Sequence, residues 1–151
     1  MTIEILVAAS IIVVSVLAAT AVAQKSIFIS RQAFHTTQAS FLLEEGAEAM
    51  RILRDNAWGN ISSLSIGTSY YPKFSGGVWS LSTTSSDGVL SIFTRSLSVG
   101  NVNRDNTTKD IISSGGTFDP DTKLITVSVS WVEGGVTVTK ILKFYLTNIF
   151  S

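Results

Sequence analysis

Residues 5–23 read ILVAASIIVVSVLAATAVA, and this stretch decides the fold of the chain. It contains no charged residue, no glycine and no proline. As an α-helix it would be about 28 Å long, close to the ~30 Å hydrocarbon core of a bilayer. The stretch therefore predicts a membrane-spanning helix. A cleavable secretory signal is the competing interpretation, but no basic residue precedes the stretch, which favours a retained segment.

Helix-compatible sequence continues well beyond the apolar stretch. The first glycine is Gly46 and the first proline is Pro72, so one long helix is predicted for residues 1–57. The later part of this helix carries apolar residues at helical spacing, a pattern typical of a face that packs on a sheet. These residues are Leu43, Ala47, Met50 and Leu53.

Residues 58–151 are rich in serine, threonine, glycine and β-branched residues, which indicates a β-rich head. Residues 78–84 and 89–99 flank Ser85-Ser86-Asp87-Gly88, and the Asp-Gly pair predicts a hairpin between them. We expect these two segments to pair.

A second hairpin is predicted from alternating residues 123–132 and 136–146, which flank Gly134-Gly135. The fold class is therefore α+β: a long N-terminal α-helix packed against a C-terminal antiparallel β-sheet of about four strands.

The overall charge is balanced, with 11 basic and 11 acidic residues, so a nucleic acid partner is not indicated. The chain has no cysteine, which excludes disulfides, thiolate metal sites and cysteine nucleophiles. Its single histidine, His35, has no acidic residue at helical spacing, and no phosphate-binding or nucleophile motif is present. We expect no enzyme activity and no cofactor.

One loop region is rich in oxygen ligands, with Asp105, Asp110, Asp119 and Asp121 close together in sequence. Their spacing does not match the twelve-residue calcium loop, and such residues commonly form turns. Turn formation is the favoured interpretation and calcium binding the alternative. Asn60 and Asn106 each begin an N-glycosylation acceptor pattern, which is short and frequent by chance.

Glu4 is the one ionisable side chain in the apolar beginning of the chain. A carboxylate near the bilayer centre costs about 2.5–3.5 kcal/mol, so Glu4 should lie at an interface or acquire a cationic partner. Two interpretations remain open. Glu4 can simply favour the start of the helix, or it can pair with the terminal amine of a neighbouring chain and set the register between copies.

The segment MTIEILVA, residues 1–8, resembles the opening of mature type IV pilins and type II secretion pseudopilins. Residues 41–58 resemble the helix end of minor-pilin-like members. In that family a prepilin peptidase removes a basic leader, the new terminal amine is methylated, and the acidic residue is the fifth of the mature chain. Here it is the fourth, and the family's proline in the membrane half is absent.

The resemblance implies a lollipop-shaped structural subunit of a type IV pilus or pilus-like filament. It would reside in the inner membrane as a precursor and then enter an extracellular homo-oligomeric filament, with the pilus assembly machinery as partner. The alternatives are a minor pilin, a pseudopilin, or a single-span anchored binding domain that never polymerises. Adhesion, motility, DNA uptake and secretion all stay open. The implied assembly residues are Met1, Glu4, Ile5, Leu6, Ile11, Ile12, Val16, Leu17, Ile27, Phe28 and Phe34.

Overall fold

The computed structural model describes residues 2–85, 90 and 92–150. The chain divides into two compact units, of which the first ends at Gln38 and the second begins at Ala39. A single helix, α1 (Thr2–Asn56), contributes to both units. The predicted long N-terminal helix is thus confirmed.

Helix α1 has the end charges that a long helix favours, with Glu4 in its first turn and Arg54 in its last. At its C-terminus the Leu53 carbonyl accepts hydrogen bonds from the Ala57 backbone N–H at 3.3 Å and from Asn60 Nδ2 at 3.0 Å. These bonds satisfy a carbonyl that has no partner inside the helix. The chain then forms one short helix, α2 (Gly59–Ser62), before the strands begin.

The strands are β1 (Tyr71–Ser75), β2 (Val78–Ser82), β3 (Thr94–Arg104), β4 (Ile111–Ile112), β5 (Thr117–Glu133) and β6 (Val136–Thr147). Strands β1 and β2 form a two-stranded antiparallel ribbon. The others form a four-stranded antiparallel sheet in the order β4-β3-β5-β6. The predicted α+β class with a sheet of about four strands is confirmed.

The hairpin predicted around Gly134-Gly135 is confirmed. Glu133 of β5 lies opposite Val136 of β6, and the two glycines take φ values of 58° and 81°. A two-residue turn of this kind needs positive φ at both positions, which glycine adopts without steric cost.

The hairpin predicted between residues 78–84 and 89–99 is wrong. Strand β2 pairs with β1 across the Gly76-Gly77 turn, whereas β3 pairs with β5. Strand β1 was not predicted from the sequence because it contains Pro72, and proline is tolerated in a strand mainly at the edge of a sheet. Ser85 is described, but residues 86–88 of the expected turn and residue 89 lie outside the described residues.

The core of the second unit lies between the later part of α1 and one face of the four-stranded sheet. The side chains of alternate residues of β5 lie on this face and are almost fully buried: Ile125, Val127, Val129 and Trp131. The predicted helix stripe meets the same core, since Leu43, Ala47, Met50 and Leu53 are all buried. Partly buried Val138, Leu142 and Phe144 of β6 complete it.

Gly46 allows close approach between α1 and the sheet. A Cβ atom at Gly46 would lie 2.8 Å from Val127 Cγ1 and 3.3 Å from Arg95 Cδ. The first distance is shorter than real Cβ contacts and the second is shorter than most of them, so a side chain at this position would require Val127, Arg95 or the helix itself to shift. The glycine therefore costs some helix propensity and permits tighter packing.

Arg95 ties the helix to the sheet from an inward-facing position of β3. Its side chain is only 4% exposed, and its Nη1 atom lies 2.8 Å from Glu45 Oε2 and 3.3 Å from the Leu42 carbonyl oxygen. The guanidinium carbon also lies 5.5 Å from the centre of the Trp79 ring. One buried cation thus contacts α1 and the β1–β2 ribbon together.

Substitution Gly46→Ala should lower the free energy of unfolding by about 1–3 kcal/mol, because the added methyl group overlaps Val127 and Arg95. Chemical unfolding of the full chain in detergent micelles, followed by tryptophan fluorescence, measures this change. Gly59→Ala is the matched control, since a Cβ there would meet nothing within 4 Å. Equal stability of the two variants would contradict the packing role of Gly46.

Candidate assembly surface on the first helix

The N-terminal part of α1 is apolar on every side. Ile11, Ile12, Val13 and Val14 are consecutive and are 62%, 62%, 57% and 66% exposed. Because a helix turns once in 3.6 residues, four consecutive positions cover its whole circumference. An apolar stripe facing one partner would leave a polar side, and this segment has none.

The described residues of the implied assembly set are all exposed on α1: Glu4, Ile5, Leu6, Ile11, Ile12, Val16, Leu17, Ile27, Phe28 and Phe34. Met1 lies outside the described residues. The set extends over about 45 Å of helix and around its circumference, so it forms no single pocket within one chain. Members of the set that lie far apart on this helix could be brought together only by a second copy.

Helix α1 is long and apolar enough to cross a membrane, and its most apolar window is entirely unburied. A helix satisfies its own backbone hydrogen bonds, which a hydrocarbon environment requires. This finding supports a candidate N-terminal membrane-spanning helix.

The hydroxyl groups in the apolar segment are satisfied within the helix. Ser10 Oγ donates to the Leu6 carbonyl at 2.7 Å, and Ser15 Oγ donates to the Ile11 carbonyl at 2.8 Å. Thr20 Oγ1 donates to the Leu17 carbonyl at 2.9 Å. These bonds remove the cost of placing a hydroxyl donor in an apolar environment.

Charges flank the apolar segment on both sides. Glu4 lies in the first turn of α1, and Lys25 is the first cation after residue 23. The Lys25 ammonium lies 5.3 Å from the centre of the Phe28 ring, within cation–π distance. Lys25 is absent from the predicted assembly set, and its position directly after the apolar stretch is the signal that could have identified it.

Glu48 and Arg51 lie three residues apart on α1 and form an ion pair, with 3.1 Å between Glu48 Oε2 and Arg51 Nη1. Both side chains are about half exposed or more, so the pair contributes at most about 0–1 kcal/mol. The more consequential ion pair joins Glu45 to the buried Arg95. Sequence reasoning missed it, although an arginine alternating with Leu97 and Val99 along β3 signals an inward-facing cation.

Two of the carboxylates considered for calcium, Asp105 and Asp121, accept hydrogen bonds from other groups of the chain. Asp105 Oδ1 accepts from the backbone N–H groups of Thr107 and Thr108 at 2.7 and 2.9 Å. Asp121 Oδ1 accepts from Asn148 Nδ2 at 2.9 Å. Among the described residues no three His, Cys, Asp or Glu side chains form a group that could hold a metal ion. The observed contacts support a role in turn formation.

Asp119 forms an ion pair with Arg104, with 2.6 Å between Asp119 Oδ2 and Arg104 Nε. Burial raises the pKa of Asp119, but hydrogen bonds from Arg104, Thr122 and the Asp121 backbone outweigh it and lower the pKa below its usual value. The pKa of Asp105 is also lowered, chiefly by the backbone N–H groups of Thr108 and Thr107.

Comparisons with family models, with curated proteins and with solved structures give no match for this chain.

Substitution Asp119→Asn should reduce stability at pH 7, by about 1 kcal/mol, because it removes a charged hydrogen-bond acceptor of Arg104. A lowered folded-state pKa means that the unfolded chain binds protons more readily. The stabilisation is therefore complete above the ordinary value of 3.8 and is lost as the pH falls below it.

Unfolding of the full chain in micelles, compared at pH 7 and pH 2.5, measures this dependence. Glu44→Gln, which removes one exposed carboxylate from α1, corrects for the change in net charge. The same loss of stability for Asp119→Asn at both pH values would contradict the role given to the carboxylate.

Proposed function

We propose that this chain is a structural subunit of a type IV pilus or pilus-like extracellular filament. One observation carries the proposal: a single helix is apolar on all sides over residues 5–23 and later packs on an antiparallel sheet. The first part exposes an apolar surface that must be shielded from water. The second part packs against the sheet of the folded head. This division of one helix suits a subunit that polymerises through its N-terminus.

The exposed apolar surface requires lipid or other copies of the chain as its environment. Leaving one large aliphatic side chain in water costs about 1.5–3 kcal/mol relative to full burial. Ten such side chains between Ile5 and Val22 are each 52% to 69% exposed. Their combined cost, on the order of 10–20 kcal/mol, rivals the 5–15 kcal/mol stability of an ordinary domain. A chain with this helix in water would be driven to associate.

Before assembly the lipid chains of the bilayer surround residues 5–23, and in the filament the same residues of other copies replace the lipid. Because lipid is as apolar as leucine, this exchange yields little hydrophobic free energy, and close packing has to drive it. Ser15, Ala19 and Ala23 are four residues apart and form a row of small side chains. Small-xxx-small rows let helices approach closely within membranes.

Glu4 supplies the specificity that apolar packing lacks. Its side chain is exposed in the first turn of α1, where it can meet the terminal amine of a neighbouring copy. An intact ion pair in an apolar surrounding adds little net stability, but the loss of one partner leaves a costly buried charge, so arrangements that separate the two partners are disfavoured. The pair therefore fixes the axial register between subunits.

Substitution Glu4→Gln should leave membrane insertion intact and reduce filaments at least tenfold, because the variant keeps the apolar helix and loses the ion pair. Filaments sheared from cells that make the protein are counted by negative-stain electron microscopy, and membrane fractions are probed for the chain. Asp110→Asn is the matched control, since it removes one exposed carboxylate from a loop of the second unit.

Wild-type amounts of filament from Glu4→Gln would contradict the role of Glu4. If the unsubstituted chain itself enters membranes and never appears in sheared filaments, a single-span anchored binding domain replaces the proposal. A chain found only in trace amounts within filaments of another subunit identifies a minor pilin or pseudopilin.

A further inference from the structure

A cleft of about 390 Å³ lies in the second unit, between the end of α1, helix α2 and strand β2. Leu53 and Asn56 line this head cleft from α1, Asn60 lines it from α2, and Trp79 and Leu81 line it from β2. Its volume falls in the range of small-molecule sites, about 300–1,000 Å³. All of its lining residues belong to the second unit, so a site here does not depend on filament formation.

Contacts within the chain hold the walls of the head cleft in place. Asn60 Nδ2 donates to the Leu53 carbonyl at 3.0 Å, which joins α2 to the end of α1. On the strand side, the centre of the Trp79 ring lies 5.5 Å from the Arg95 guanidinium carbon and 5.1 Å from the centre of the Phe74 ring. The cleft is therefore formed by the chain alone, as small-molecule sites usually are.

Three polar groups of the head cleft have no hydrogen-bond partner within the part of the chain that the structure describes. They are the side-chain amide of Asn56, the hydroxyl of Ser63 and the indole N–H of Trp79. Together these groups offer both donors and acceptors. A ligand must replace the water that they otherwise bind, so it has to carry hydrogen-bonding groups of its own.

Among the described residues no charged side chain lines the head cleft. The charged residues nearest to Asn56 in sequence, Arg54 and Asp55, pair with each other at 2.8 Å. A phosphate or carboxylate would find no counter-charge here to offset the cost of its desolvation. A purely apolar ligand would remove water from the amide and hydroxyl groups without replacing the lost hydrogen bonds. The lining therefore favours a neutral, polar ligand.

Apolar surface completes the lining of the head cleft. It comes from the partly exposed Trp79 ring and from four aliphatic side chains: Leu53, Leu64, Val78 and Leu81. A ligand that covers this surface must also carry C–H groups beside its polar ones. Neutral sugars combine hydroxyl groups at the ring edge with C–H groups on the ring face. A tryptophan, with its apolar ring and polar N–H, can contact both kinds of group.

We propose that the head cleft binds a neutral carbohydrate. The sugar hydroxyl groups form hydrogen bonds with the side chains of Asn56, Asn60 and Ser63, and the sugar C–H groups contact the exposed part of Trp79. The chain then carries a recognition site in its folded head, separate from the apolar helix segment of residues 5–23.

Saturation-transfer NMR of the full chain in micelles of a zwitterionic detergent tests the proposal, because such a detergent has no sugar headgroup. The probes are lactose, cellobiose, maltose and diacetylchitobiose at millimolar concentration, with sialyllactose as the charged counterpart of lactose. At least one neutral disaccharide should receive saturation at its ring protons. Sialyllactose should bind no more tightly than lactose, because no cation lines the head cleft.

The double variant Asn56→Ala/Ser63→Ala should lower the affinity for that disaccharide about tenfold, because it removes two hydrogen-bonding side chains. Neither side chain bonds to another described residue, so the variant should unfold at the same denaturant concentration as the unsubstituted chain. Thr137→Ala/Thr139→Ala is the matched control. It removes two exposed hydroxyl groups from β6 and should leave the affinity within twofold.

The proposal is overturned if none of the neutral disaccharides binds, or if sialyllactose binds more tightly than lactose. It is also overturned if Asn56→Ala/Ser63→Ala binds as tightly as the unsubstituted chain. An equal loss of affinity in Thr137→Ala/Thr139→Ala would place the sugar outside the head cleft and would contradict the proposal in the same way.

Discussion

Water cannot cover the surface of residues 5–23 without a large free-energy cost, and the rest of the molecule is organised around that constraint. The backbone N–H and C=O groups of this segment need no outside hydrogen-bond partner, because a helix pairs its own amide and carbonyl groups. Its hydroxyl groups are also satisfied within the helix, because Ser10, Ser15 and Thr20 donate hydrogen bonds to preceding backbone carbonyl groups. What remains on the outside is apolar in every direction, and only lipid or similar helices can cover it.

The same helix changes character after residue 38, where its buried residues begin. From Ala39 onward an apolar stripe faces the sheet, and the opposite side is mostly polar, with Phe41 and Ile52 as exposed apolar residues. Gly46 allows the helix to lie close to Val127 of the sheet. Arg95 of β3 forms an ion pair with Glu45 of the helix. The last turns of α1 are therefore held by specific packing against the sheet.

Local patterns made much of this fold predictable from the sequence. The apolar run and the late first glycine indicated α1, and the Leu43, Ala47, Met50 and Leu53 spacing indicated its buried face. Strict alternation around Gly134-Gly135 indicated the β5–β6 hairpin. The β1–β2 ribbon was not predicted, because Pro72 argues against a strand and because the nearby Asp-Gly pair favoured a different turn.

The contacts that escaped prediction depend on distant parts of the chain. Gly46 and Arg95 are far apart in sequence, and only the packed helix and sheet bring them together. The implied assembly residues are different again, because those that the structure describes lie exposed along some 45 Å of one helix.

The most direct measurement is a helical reconstruction, by cryo-electron microscopy, of filaments sheared from cells that make this chain. The account predicts a core built from residues 5–23 of many copies, with Glu4 beside the N-terminus of a neighbour and the β-strands outside. A filament in which residues 5–23 face solvent, or a core built from the strands, would contradict it.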